Sequence, residues 1–244
     1  MVKVFSNRLL LITRPLQEGL AFSDKIKNLN NSINTICRPL FEIENFAINQ
    51  DMSNITGAIA TSSNAIRSLV QSRIRFNCPV FCVGDSTALF AQKAGYNSIS
   101  SNGNTYHLSK LIQNLVPAGT EQLIYFRGEE TVGDLGRFLR ERNYNVEEVI
   151  CYRKLPKEIP RKIIGDIESG LIFGATFFSK QTASLFSNQV KCLPDGFVAF
   201  CISEEVSRTL LDYYPKTHLS LRVADAPSMM EMSKLVVAAS EFAA

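Results

Sequence analysis

The chain has 244 residues, 45% of them apolar and 20% charged, an ordinary globular composition with enough length for one large domain or two small ones. Its 26 lysines and arginines against 23 acids leave a net charge of +3 with no basic run, which argues against nucleic acid as a partner. The apolar stretch Leu9-Leu10-Leu11-Ile12 is closed at once by Arg14 and Pro15, too short for a secretory signal, and no other segment approaches a membrane span, so the chain reads as cytoplasmic with no membrane partner.

In chain order, strands are expected at residues 9–13, 55–61, 80–83, 123–126, 146–152, 171–178, 197–202 and 219–223, where short apolar runs occur. Helix-length amphipathic stretches lie between many of them, for example residues 64–71, 86–94 and 132–142. Alternation of this kind points to the α/β class, with parallel sheets flanked by helices in three layers.

The same units then recur. Gly57-Ala58 returns as Gly174-Ala175, and at the same spacing Ser62 meets Ser179, Val80 meets Phe197, Ser86 meets Ser203 and Tyr96 meets Tyr213. A slightly shorter spacing carries Arg14 to Arg127, Ile26 to Leu139, Asn30 to Asn143, Ile33 to Val146 and Ile36 to Val149. An internal duplication is the simplest account. Segments near residues 36–43 and 149–156 hold equivalent places and are expected to cross between the halves as a two-stranded linker. One domain is then discontinuous, residues 1–37 plus 156–244, and the other is residues 38–155, with a ligand cleft between them.

Six cysteines without a C-x-x-C pair sit mostly in apolar runs, as in Val80-Phe81-Cys82-Val83, and read as buried thiols in a reducing compartment. His107 and His218 lack partners at ligand spacing, so no metal site is expected. There is no phosphate loop. Gly128-Glu129-Glu130-Thr131-Val132-Gly133 puts two acids where a pyrophosphate would sit, which argues against a nucleotide cofactor.

Hydroxyl-rich turns follow several strands: Thr61-Ser62-Ser63-Asn64, Gly84-Asp85-Ser86-Thr87, Ser179-Lys180, and Ser203 after Cys201-Ile202. Two readings stay open: ordinary N-caps, or helix N-termini gathered at strand ends to bind anions. Arg14 and Arg127 stand just past equivalent strands, placed either to grip a carboxylate or to brace a turn. Tyr152, in Val149-Ile150-Cys151-Tyr152-Arg153, is a candidate proton donor or a packed linker aromatic.

Taken together, Leu11-Ile12-Thr13-Arg14-Pro15, Thr61-Ser62-Ser63-Asn64-Ala65, Val83-Gly84-Asp85-Ser86-Thr87-Ala88 with Gly95, Arg127-Gly128, Val149-Ile150-Cys151-Tyr152, Phe177-Phe178-Ser179 and Ala226-Pro227-Ser228 resemble the uroporphyrinogen-III synthase family over nearly the whole chain. The resemblance implies a monomeric enzyme that needs no cofactor. It implies that hydroxymethylbilane, a linear polycarboxylate tetrapyrrole, closes to uroporphyrinogen III in heme biosynthesis, with water lost and the last ring inverted. In that chemistry the terminal hydroxyl leaves to give an azafulvene, and attack on it gives a spiro intermediate. Carried over by motif, Tyr152 matches the candidate general acid. Thr87 matches the hydroxyl of a G-x-x-T-A turn, and Ser62 and Ser179 match substrate-binding turns. Cys201-Ile202-Ser203-Glu204-Glu205 departs from the family's Gly-x-Thr-Thr-Ala-like turn and brings two acids towards a polyanion. A two-domain α/β binding or regulatory protein without catalysis is the alternative that this architecture allows.

Overall fold

A computed structural model describes residues 8–119, 121–131, 133–215 and 219–242. The first half of the chain forms β1 (Leu9–Ile12), α1 (Leu16–Leu29), β2 (Asn34–Cys37), β3 (Phe41–Asn45), β4 (Gly57–Ala60), α2 (Ser63–Gln71), β5 (Val80–Cys82), α3 (Asp85–Lys93), β6 (Ser98–Ser100) and α4 (Thr105–Leu115). The second half forms β7 (Gln122–Gly128), α5 (Leu135–Arg140), β8 (Asn145–Pro156), α6 (Arg161–Glu168), β9 (Ile172–Phe177), α7 (Lys180–Gln189), β10 (Val198–Cys201), α8 (Glu204–Tyr213), β11 (Ser220–Val223) and α9 (Met229–Phe242). Each expected strand is present with shifted ends. Val132, where one helix was expected to start, lies outside the described residues. The helix there begins only at Leu135, because the Asp134 side chain caps it by accepting from Arg137 N at 2.9 Å. Among the described residues no helix is long and apolar enough to cross a membrane.

The chain divides into two compact units, one made of the residues up to Glu42 and from Pro156 on, the other of Ile43–Leu155. Among the described residues the first unit holds a five-stranded sheet in the order β11-β10-β9-β1-β2, with every neighbouring pair parallel. The second holds the order β3-β8-β7-β4-β5-β6, parallel from β8 to β6. β3 runs along the outer side of β8 in the opposite sense: Phe46 N donates to Cys151 O and Lys157 N to Leu40 O, so one strand ascends as the other descends.

Both sheets are buried on both faces, as α/β layering requires. In the first, Leu11 and Phe177 pack under α6, α7 and α8, while Leu10 and Ile12 turn to α1 and α9. In the second, Ala58, Ile124 and Phe126 pack with residues of α2 and α3, while Ile59, Leu123 and Tyr125 face α4 and α5.

The repeat is visible as register. Leu10 stands opposite Gly174 in one sheet as Leu123 stands opposite Gly57 in the other. Both glycines are required by close approach rather than by backbone angle: a Cβ on Gly57 would meet Leu123 and Phe81 at 2.8 Å, and one on Gly174 would collide with the Val198 carbonyl. The first repeat gives β1 and β2 to the first unit and β4, β5 and β6 to the second, with β3 added at that sheet's edge, and the second repeat gives β7 and β8 to the second unit and β9, β10 and β11 to the first.

Several equivalences expected from spacing are corrected: by register Val80 matches Ala199 rather than Phe197, and Val146 matches Thr35 rather than Ile33. Gly84 and Ser203 are the N-cap residues of α3 and α8, so Ser203 corresponds to Gly84, and Glu205 rather than Ser203 stands where Ser86 does. Likewise Tyr96 corresponds to Tyr214, not to the exposed Tyr213: both buried phenols donate to a carbonyl beyond the preceding helix, Ile74 O and Val190 O. In each case the gapless spacing fails because corresponding elements differ in length, as α7 and α8 with 10 residues each differ from α2 and α3 with 9.

Candidate active site

In parallel sheets the carboxyl ends of the strands share one edge, and the turns that leave them carry the candidate residues. In the second unit β4 ends in Thr61-Ser62-Ser63. Ser62 is the N-cap of α2 and accepts from Asn64 N at 3.2 Å, so the capping reading holds for this hydroxyl. Thr61 Oγ1 lies 3.1 Å from Tyr125 Oη, and Ser63 is half-buried at the start of the helix.

Tyr152 reaches the same turn from β8. The ladder between β7 and β8 slips at this point, Arg127 facing Ile150 and Gly128 facing Tyr152. This bulge breaks the alternation, so Cys151 and Tyr152 are consecutive and both buried. Burial pushes the Tyr152 phenol above its ordinary pKa, and a hydrogen bond with the Ser62 side chain pulls back part of the rise. The phenol therefore keeps its proton at neutral pH, the state a general acid needs.

The β5 turn is less open than its sequence implies. Gly84 caps α3 without a side chain, and Asp85 and Ser86 are exposed in the first turn. Thr87 is buried, and its N–H bonds to Gly84 O at 3.1 Å.

The two arginines of the repeat have parted. Arg127 is a brace: Nε donates to Glu148 at 2.5 Å, and Nη1 donates to the carbonyls of Gly128 and Glu129 at 2.9 and 3.2 Å. Glu148 is shared with Arg140 at 2.7 Å. Arg14 instead lies over Phe178, its guanidinium carbon 4.2 Å from the ring centre. Burial lowers the Arg14 pKa and the nearby Glu18 opposes that shift, yet an arginine stays charged at neutral pH in any case.

In the first unit Ser179 caps α7, accepting from Thr182 N at 3.2 Å and sharing a 2.8 Å hydrogen bond with Thr182 Oγ1. Lys180 pairs with Glu205 at 2.7 Å, an exposed bridge of small worth. Ser203 makes no side-chain cap bond, so among the described contacts its hydroxyl is neither a cap nor a brace. The two acids of the divergent turn are engaged locally, Glu205 by Lys180 and Glu204 as an acceptor from Ser207 Oγ at 3.3 Å.

Among the described residues no group of three histidine, cysteine or acidic side chains is placed to hold a metal ion. His107 is part of the capping box of α4 with Asn104, and His218 lies outside the described residues. All six cysteines are free thiols.

The sequence reading passed over Tyr125, which sits in the apolar run Leu123-Ile124-Tyr125-Phe126 and looks like core. The signal was the repeat itself: the equivalent residue of the first half is Ile12, which needs no hydrogen-bond partner.

The family model described as uroporphyrinogen-III synthase HemD matches residues 22–231 of this chain. No curated protein matches it in sequence. Among solved structures it is similar to uroporphyrinogen-III synthetase from Helicobacter pylori, at 16% identity and TM-score 0.68 over 95% of this chain and 99% of that one. It is also similar to a mutant uroporphyrinogen III synthase from the extremely thermophilic bacterium Thermus thermophilus, at 14% identity and TM-score 0.59 over 96% and 99%. These two likenesses speak for the fold. With the family match across most of its length, the chain belongs to the uroporphyrinogen-III synthase family.

Proposed function

We propose that this chain is a lyase that closes hydroxymethylbilane to uroporphyrinogen III, with Tyr152 as the general acid. The observation that carries the reading is the Tyr152 phenol, buried, held protonated and hydrogen-bonded to Ser62 beside the carboxyl ends of the strands. The phenol gives its proton to the hydroxyl of the terminal hydroxymethyl group. The carbon–oxygen bond breaks, water leaves, and the pyrrole nitrogen lone pair makes the azafulvene. Attack on the azafulvene carbon by the substituted carbon of the ring at the other end of the chain gives the spiro intermediate. Reopening and reclosure invert that ring, and the proton lost when the closed ring regains aromaticity restores the phenol. Atoms balance as one bilane to one macrocycle and one water.

The substrate's carboxylates fall to Thr61, Ser62, Ser63 and Ser86, with Arg14, Ser179, Lys180 and Ser203 offering the same chemistry on the first unit. The turn at Gly84 adds to the anion-favouring ends of α2 and α3, with Thr87 packed beneath it and its N–H bonded to Gly84 O. Arg127 serves by bracing the β7 end through Glu148. Since the unaided bilane closes to the other isomer, most of the catalytic contribution is geometric.

The test is a coupled assay: fresh hydroxymethylbilane is given to the purified protein, and the oxidised porphyrin isomers are separated by chromatography. Predominant isomer III is expected. Isomer I alone, at the rate without protein, would sink the proposal.

A further inference from the structure

The repeat offers an internal control for every residue of the site. Tyr125 and Thr61 of the second unit stand where Ile12 and Phe178 stand in the first: Thr61 directly precedes the N-cap Ser62, as Phe178 precedes the N-cap Ser179. Ile12 and Phe178 belong to one apolar cluster, so this fold is built in the first unit without a polar pair at these positions. In the second unit the same positions carry two hydroxyls, 3.1 Å apart. Packing alone does not call for them, since burying a phenol oxygen is unfavourable unless a partner is supplied.

The pair has a direction. A phenol is a better donor than an aliphatic alcohol, and Tyr125 is only 4% exposed, so Thr61 is the partner that the structure gives it. Burial raises the phenol's pKa further and keeps the proton in place. If Tyr125 donates, a lone pair of Thr61 is filled, and the Thr61 hydroxyl proton must point elsewhere. Thr61 itself is only half-buried, in the turn with Ser62 and Ser63. An ionised carboxylate, an acceptor with no proton to give, suits that place.

We propose that Tyr125 is a positioning residue: it donates to Thr61 Oγ1 and so sets the Thr61 hydroxyl as a donor to one carboxylate of the substrate. The inference rests on the synthase reading for the identity of that carboxylate. Tyr125 acts through Thr61 and does not touch the reacting atoms, which separates it from Tyr152. Its effect therefore falls on binding and not on the chemical step.

Two readouts test this, the kinetics with hydroxymethylbilane and a fluorescence titration with uroporphyrin III, an octacarboxylate that does not react. Tyr125→Phe is expected to raise both KM and the uroporphyrin Kd about threefold to tenfold with kcat within about twofold. Thr61→Val should do the same, Thr61→Ser should stay near wild type, and Tyr125→Phe should add nothing in the Thr61→Val background. A purely structural tyrosine would instead lower the melting temperature and add its full effect to that of Thr61→Val. Unchanged KM and Kd in Tyr125→Phe, additive effects in the double variant, or a wild type that does not bind uroporphyrin would each overturn the proposal. A wild type that binds uroporphyrin but makes no isomer III would remove the synthase reading, while the titration still decides the role of Tyr125.

Discussion

The ring of Tyr152 lies directly against the backbone of Gly128: a Cβ added there would stand 2.8 Å from Cζ and 3.0 Å from Oη. The two residues are register partners just past the bulge in β8, so the glycine makes the space that the bulge then fills with the phenol. Gly128→Ala is expected to push the phenol off Ser62, at a stability loss of about 1–3 kcal/mol. Turnover should fall more steeply than the melting temperature. Urea unfolding beside the isomer assay checks this, and wild-type turnover in a folded variant would refute it.

Tyr152→Phe removes only an oxygen. Stability should change by about 1 kcal/mol, while kcat falls ~10²–10⁴-fold if the phenol is the acid. An unchanged rate removes the acid role.

The alkaline limb gives a second test of the same residue. Burial raises the folded-state pKa of Tyr152 above the ordinary value of 10, so the phenol stays protonated until the pH passes that raised value. Its contribution to stability is complete below pH 10 and is lost as the pH climbs through the folded pKa, because the unfolded chain ionises first. A pH–rate profile should therefore show no fall due to this phenol below pH 10, and the fall above it should be absent in Tyr152→Phe.

Arg14 and Arg127 should separate function from stability. Arg127→Met breaks the bond to a Glu148 that Arg140 still holds, costing about 1–2 kcal/mol and affecting activity chiefly through stability. Arg14→Ala gives up the stacking on Phe178, at a cost of about 0.5–1 kcal/mol, and should weaken substrate binding about tenfold. Thermal melts paired with KM values check both, and the reverse pattern would exchange the two roles.

The thiols should sort by depth. Burial pushes Cys82 and Cys201 up to about 12, and both are fully buried, whereas Cys192 is exposed. Brief alkylation at pH 8 followed by mass spectrometry should mark Cys192 and leave Cys82 and Cys201 unmodified until the protein unfolds. Early labelling of Cys82 would show that the second sheet opens far more readily than its packing implies.

Much of this was legible in the chain. Apolar runs such as Leu9-Leu10-Leu11-Ile12 and Val80-Phe81-Cys82 form strands because both sheet faces are covered, and such strands have no polar side to hide. The paired Gly-Ala segments announced the duplication because both glycines are crowded from neighbouring strands, Gly57 by the Leu123 and Phe81 side chains and Gly174 by the Val198 carbonyl. Ser62 and Ser179 were legible as helix starts because an N-cap is a local matter of one side chain and the donors just after it.

What depended on distant parts of the chain was not legible. Nothing in Val149-Ile150-Cys151-Tyr152 shows that the ladder slips there, since a bulge is defined only against the partner strand. Arg14 and Arg127 look alike in sequence, and a stacked Phe178 against a shared Glu148 is what parts them. Tyr125 passed for core because its partner, Thr61, is 64 residues away. The sequence by itself determined the elements, their repetition and the chemical types at the strand ends, all set by local periodicity and composition. The tertiary structure alone decided which hydroxyls meet, which charges are already paired and which phenol is buried, because each of these depends on residues brought together only when the sheets form.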